Sequence, residues 1–234
     1  MRYDEKRIED AIRHTEILRL PKQELATFGI TNIAYYMLTK PVYSEMERGS
    51  SETVIRQGRV IAERPRIVTP YYMSRLEGFS SDARKYFENI IRQYGADAPG
   101  IYYTYRNETG SLNIVNGEMK AVVERLNSDI DKRGDPLVII IKGQDELWDV
   151  SLMRCIYEIT RSSMQNNLLQ MESRGLMNMD AGGVPMDARL RIEELFSEMA
   201  CGKIKPDELK GELERWELFE EYQDRFLAII RQRH

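Results

Sequence analysis

The run Leu137-Val-Ile-Ile-Ile141, held between Pro136 and Lys142-Gly143, constrains this chain more than any other segment. Consecutive apolar β-type residues leave no polar face for solvent, so the run predicts a strand covered on both sides. It also marks a change of character. Before it, β-type runs alternate with helical segments; beyond Asp145 the pattern is helical almost throughout. The expected fold is α+β, with α/β as the variant. A mixed sheet with flanking helices spans 1–145, and an all-helical region over 146–234 packs on it or extends from it.

Local patterns place the elements. Residues 4–19 carry Ile8, Ala11, Ile12, Thr15 and Leu18 on one stripe, an amphipathic helix capped by Asp4. Residues 33–39 read as a strand, 44–52 as a polar connection, and 53–62 and 66–73 as β-type runs. Gln57-Gly58 is expected to divide the first of these into a hairpin. A helix follows from Ser80 or Ser81 to about Tyr94. Then come a strand at Ile101–Tyr105, a turn at Asn107-Glu-Thr-Gly110, a strand at Leu112–Val115, and a helix from Asn116 to Arg133 that Gly134 ends. Residues 146–173 predict one long helix. Its first half is apolar on several sides and expected to be central; its second half, Ser162-Ser-Met-Gln-Asn-Asn, is polar and expected to be exposed. A glycine-containing loop at 175–185 with methionines around it, a helix at about 187–200, and a last helix begun by Pro206 complete the chain.

Composition narrows the function classes. At 234 residues the chain can bury a core without staples. Its formal charge of −4 argues against general nucleic-acid affinity but leaves room for a local basic face. Cys155 and Cys201 fall in helical patterns and read as reduced thiols of a cytosolic protein. The charged amino terminus has no signal-peptide core, and no apolar run approaches the roughly 18 residues of a membrane span.

The candidates for chemistry lie at strand ends and in one basic stretch. Ile101–Tyr105 leads into Arg106, Asn107 and Glu108, and Leu137–Ile141 leads into Lys142, Asp145, Glu146 and Asp149. If these strands are parallel neighbours, the groups share a rim where carboxylates and a lysine bind a divalent cation and polarise a phosphate. The plainer reading, which we favour, is that Asp145 caps the long helix, Glu146 and Asp149 complement its dipole, and residues 107–110 form only a turn. Gly117-Glu-Met-Lys120, directly after Leu112–Val115, resembles the half-motif of metal-dependent nucleases of the restriction-endonuclease-like class. That resemblance implies Glu118 as a metal ligand and Lys120 beside the attacking water, with Asp97 as the one upstream acid available. Residues 54–75 hold Arg56, Arg59, Arg64, Arg66 and Arg75 beside Tyr71 and Tyr72, which reads as an ordinary solvated face, as a surface for anions or nucleic acid, or as one that docks against the acidic tail of Glu212, Glu214, Glu217, Glu220, Glu221 and Asp224. Arg64, Arg66, Arg106 and Lys142 are the anion-binding candidates; Glu118, Asp145 and Glu146 are the metal candidates.

The missing motifs weigh more. The only histidines are His14, four residues after Asp10 on a helix, and the terminal His234. Neither suits a triad or a zinc site, and no glycine-rich phosphate loop occurs. The reading favoured is therefore an intracellular binding or assembly protein without catalysis or cofactor. Its helical C-terminal half would engage a second copy or another protein. The competing reading is an enzyme using a divalent metal on a phosphate-containing substrate or nucleic acid. Nucleic-acid binding alone is not favoured, and no membrane is implicated.

Overall fold

The Leu137–Ile141 run becomes strand β7 (Val138–Lys142), which is buried from Val138 to Ile141, in a computed structural model that describes residues 2–41, 52–69, 72, 92, 95 and 99–232. Among the described residues the fold is α+β, with a mixed five-stranded sheet and six helices. The helix expected at 80–94 except for Arg92, the connection expected at 44–52 except for Glu52, which opens a strand, and Tyr71, Arg75, Asp97 and His234 lie outside those residues.

The chain divides into two compact units, Met1–Arg64 with Tyr103–Asn167, and Pro65–Tyr102 with Leu168–His234. Position 145/146 marks something else: beyond it no further named strand forms among the described residues.

In the first unit the sheet order is β1-β7-β2-β3-β6, built from β1 (Glu16–Arg19), β2 (Thr31–Thr39), β3 (Glu52–Ala62), β6 (Tyr105–Asn116) and β7. β2 and β7 run parallel; β1 pairs β7, and β3 pairs both β2 and β6, antiparallel. Side chains alternate across this sheet as strand geometry requires. Ile33, Tyr35, Met37, Val60, Ala62, Ile139 and Ile141 meet Leu152, Cys155, Ile156 and Ile159 of helix α3 (Trp148–Ser173). On the other face Leu38, Ile55, Val138 and Ile140 meet Val122 and Ile130 of helix α2 (Met119–Arg133). Gly134 ends α2 in a left-handed conformation, φ 68°, as the sequence implies.

Four expectations are corrected in this unit. The helix read over 4–19 stops at Arg13 as α1 (Arg2–Arg13), and residues 16–19 form β1 instead, with Ile17 packed on one face of the sheet and Leu18 on the other. Pairing with β7 outweighs a helical stripe that Thr15 and Leu18 extend only by coincidence of spacing. Gln57-Gly58 is not a turn, because β3 runs unbroken from 52 to 62. Nor is Asn107–Gly110: it lies inside β6, opposite residues 58–60 of β3. The polar second half of α3 is not all exposed. Ser163 accepts the Leu25 amide, and Asn167 accepts from Thr27 and donates to the Tyr103 hydroxyl, so a buried polar seam fixes α3 against residues 25–27 and 103.

The second unit pairs β4 (Arg66–Val68) with β5 (Gly100–Tyr102). Its core gathers Tyr72 with apolar residues of α4 (Met186–Ala200), α5 (Pro206–Arg215) and α6 (Phe219–Gln232). The last helix expected from Pro206 is two, because Glu217 takes φ 57° between them and Leu218 turns into the core. Two carboxylates here sit below their ordinary pKa. Burial alone would raise Asp180, but bonds from the Val184 amide, Arg189 and the Gly182 amide outweigh it; Glu193 is lowered by its bond from Arg225. Their stabilisation is complete above the unfolded values of 3.8 and 4.5 and is lost as pH falls through the depressed folded values. The urea midpoint of the full chain is therefore expected to fall between pH 7 and pH 3, and to fall less in Arg189→Met.

Candidate functional site

β2 and β7 end side by side, at Thr39 and Lys142. Antiparallel β1 begins at the same end with Glu16 opposite Lys142, and α3 starts just beyond. The Gly143 amide donates to Leu38 O, carrying the ladder one residue past the strand. A side chain there would collide with the Ser151 hydroxyl, which lies 2.4 Å from where a Cβ would sit. The carboxyl ends of parallel strands thus open into a cleft of about 710 Å³. It is lined by polar and charged groups, among them His14 and the charged Arg7, Lys40, Lys142, Asp145 and Glu146.

Four of these charges are held in ion pairs: Asp145, Glu146, Lys142 and Arg7. Asp145 Oδ1 accepts from the Thr39 hydroxyl at 2.6 Å and from Arg56 at 2.7 Å, and both members of the ion pair are about four-fifths buried. Arg56 also lies over the Trp148 ring, 5.9 Å from its centroid, and Trp148 stacks on Tyr35. Lys142 pairs with Glu16 at 2.6 Å, and Arg7 with Glu146 at 3.0 Å, both pairs at the surface. His14 Nδ1 bonds the Asp10 carbonyl. Asp145 is therefore not the cap of α3, and among the described residues it belongs to no group of three or more side chains placed to hold a metal ion; its bonds to Thr39 and Arg56 tie β3 to the β2–β7 rim. Glu146 is held by Arg7, and Asp149 alone keeps the expected place in the first turn of α3.

The remaining candidates lie elsewhere. Strand order separates Arg106, Asn107 and Glu108 from the rim, because β2 and β3 stand between β7 and β6. Arg106 pairs with Glu108 on β6 itself. Glu118 is the N-cap residue of α2 and Lys120 lies within that helix, both exposed, so the Glu-x-Lys pair sits at a helix start and not on a strand. Arg64 is half-buried, and Arg66 belongs to the second unit, where it pairs with Glu212. That is one ion pair between the basic stretch and the acidic tail; Arg56 pairs instead with Asp145 and Arg59 with Glu108. Among the described residues no group of three or more His, Cys, Asp or Glu side chains is placed to hold a metal ion.

Protein-family models, curated proteins and solved structures give no match to this chain.

The residues that build the rim were partly hidden from sequence reasoning. Lys142, Asp145 and Glu146 follow an obvious strand, but Thr39, Arg7 and Glu16 come from segments whose neighbours only the strand order reveals. No described helix is long and apolar enough to cross a membrane.

Proposed function

We propose that this is a cytoplasmic binding or assembly protein without a reaction of its own, and that the helical portion beginning at 146 carries its contact surface. One observation supports this most. On α3, Met153, Tyr157 and Met164 fall within about 40° of one another around the helix axis, and all three are exposed, Met153 by 63% and Tyr157 by 64%. The stripe adjoins the buried arc of Leu152, Ile156 and Ile159, so the apolar face of α3 is wider than the sheet covers. It also corrects the expectation that α3 is central, because Met153 and Tyr157 face solvent. Round the helix from the stripe, the first turns of α3 hold the segment that ends α1: Thr15 bonds Ser151, and Arg154 donates to the Ile12 and Thr15 carbonyls. An uncovered apolar stripe on a long helix is the kind of surface that a helical partner buries.

The competing enzyme reading has less support, since Asp145 and Glu146 are each neutralised by an arginine and Glu118 does not line their cleft.

Light scattering on the full chain, run over a concentration series, tests the proposal. The expected mass exceeds that of a monomer at high concentration, and Tyr157→Glu is expected to weaken association tenfold or more with an unchanged far-ultraviolet spectrum. A dimer that Tyr157→Glu leaves intact would remove α3 as the contact surface.

A further inference from the structure

β6 is the outermost strand on one side of the five-stranded sheet, with β3 as its one partner among the described residues. An outer strand turns half of its backbone N–H and C=O groups outward, and those groups will pair with any strand that reaches them. The opposite edge is guarded: β1 is four residues long and carries Glu16 and Arg19 at its ends. β6 is not guarded in that way. It is twelve residues long, and from Thr109 to Asn116 it contains no charge and no proline. Leu112 and Ile114, 55% and 51% exposed, lie two residues apart and so share one face of the strand. Among the described residues the tract is blunted by a bulge, where Gly110 and Ser111 stand against Gln57 of β3; beyond it, 112–116 pairs regularly with 52–56.

We propose that two copies of this chain join their sheets through β6, antiparallel, about a two-fold axis at Asn113. This goes beyond the α3 surface and does not depend on it. The register sets Leu112 against Ile114 of the partner subunit, Asn113 against its own counterpart, and Ser111 against Val115 of the partner subunit. The tract is its own complement, with Leu112 facing Ile114 on one face and the Asn113 amides facing each other, flanked by Ser111 and Val115, on the other. Arg106 and Glu108 fall outside the paired stretch, so no like charges oppose each other. The exposed Leu112 and Ile114 of both copies then pack side by side across the new strand pair, and two five-stranded sheets become continuous. A second copy is favoured over an unrelated peptide because this symmetry satisfies both strands with the same residues.

Cross-linking of the full chain tests the register. Cys201 is exposed and Cys155 buried, so a Cys201→Ser background leaves no accessible thiol. Asn113→Cys in that background is expected to form a disulfide-linked dimer under mild oxidation. Residues directly opposed in an antiparallel pair have Cα atoms about 4.5–5.5 Å apart, within disulfide reach. Ser111→Cys, four residues out of register with its own copy, is expected not to cross-link. Ile114→Lys is expected to raise the dimer dissociation constant tenfold or more in an otherwise native chain. A strictly monomeric wild type overturns the proposal, as does Asn113→Cys cross-linking no faster than Ser111→Cys. A dimer that resists Ile114→Lys but yields to Tyr157→Glu also overturns it, and leaves the α3 surface standing.

Discussion

Gly58→Ala is expected to lower stability by about 3 kcal/mol, at the upper end of what overpacking costs. Gly58 sits in the middle of β3, where a Cβ would lie 2.4 Å from the Tyr35 hydroxyl and 2.6 Å from the carbonyl oxygen of Glu108. One of these is the end of a side chain and the other is backbone of the neighbouring strand. Tyr35 is 1% exposed, and its ring is held in the core against Trp148, so it has little room to retreat. The Glu108 carbonyl can move only if β6 moves. Tyr35→Phe alone is expected to be nearly neutral, because the buried hydroxyl has no hydrogen-bond partner; the Asn107 amide comes near without reaching hydrogen-bond geometry. The double change is expected to recover part of the loss and leave the part owed to Glu108. Urea denaturation of the four proteins of that cycle gives the numbers. A Gly58→Ala chain within about 0.5 kcal/mol of wild type, the range of ordinary surface changes, would refute the packing argument.

The same glycine shows where the sequence misleads. Gln57-Gly58 and Asn107-Glu-Thr-Gly110 carry the residue types of turns, yet they face each other across β3 and β6. Gly110 repeats the logic of Gly58, since a Cβ there would come within 2.9 Å of the Gln57 carbonyl. Glycine answers a close approach of two strands distant in the chain, and nothing local distinguishes that need from a turn. The central strands are legible for the opposite reason. Ile139 and Ile141 face one helix and Val138 and Ile140 the other, so both periodic positions must be apolar, and the run announces itself. At the rim, the presence of Lys142, Asp145 and Glu146 in one cleft follows from a strand ending there. Their partners do not follow. Arg56 reaches Asp145 because β2 lies between β7 and β3, and Arg106 stays away because β6 lies beyond β3. Strand order is set by which apolar faces the helices cover, a property of the whole sheet and not of any segment within it.

Glu212→Ala is expected to cost about 3 kcal/mol, because it leaves buried donors without an acceptor. The carboxylate, 7% exposed, accepts from the Tyr72 hydroxyl at 3.0 Å, from Arg215 at 3.0 Å and from the Trp216 indole at 3.3 Å, with Arg66 at 3.5 Å. The loss stays near the low end for a broken buried pair, because Arg66 and Arg215 are each a quarter or more exposed and can regain water. Tyr72 and Trp216 cannot: both rings lie in the core of the second unit, 4.6 Å apart. Glu212→Gln keeps an acceptor oxygen for one of the two and is expected to cost less. Burial first, and then the Glu212 charge and hydrogen bond, push the Tyr72 phenol up to about 12 against a partial offset from Arg66. The folded state therefore keeps a proton that the unfolded chain loses near pH 10. This contribution is complete below pH 10 and disappears as pH rises from there through about 12. Chemical denaturation at pH 8 and pH 11 separates the parts. Wild type is expected to lose more stability over that interval than Tyr72→Phe, which has no phenol to titrate. Equal losses in the two proteins would mean that the buried Tyr72–Glu212 contact does not hold the proton, and a Glu212→Ala chain as stable as wild type would mean that water reaches those donors.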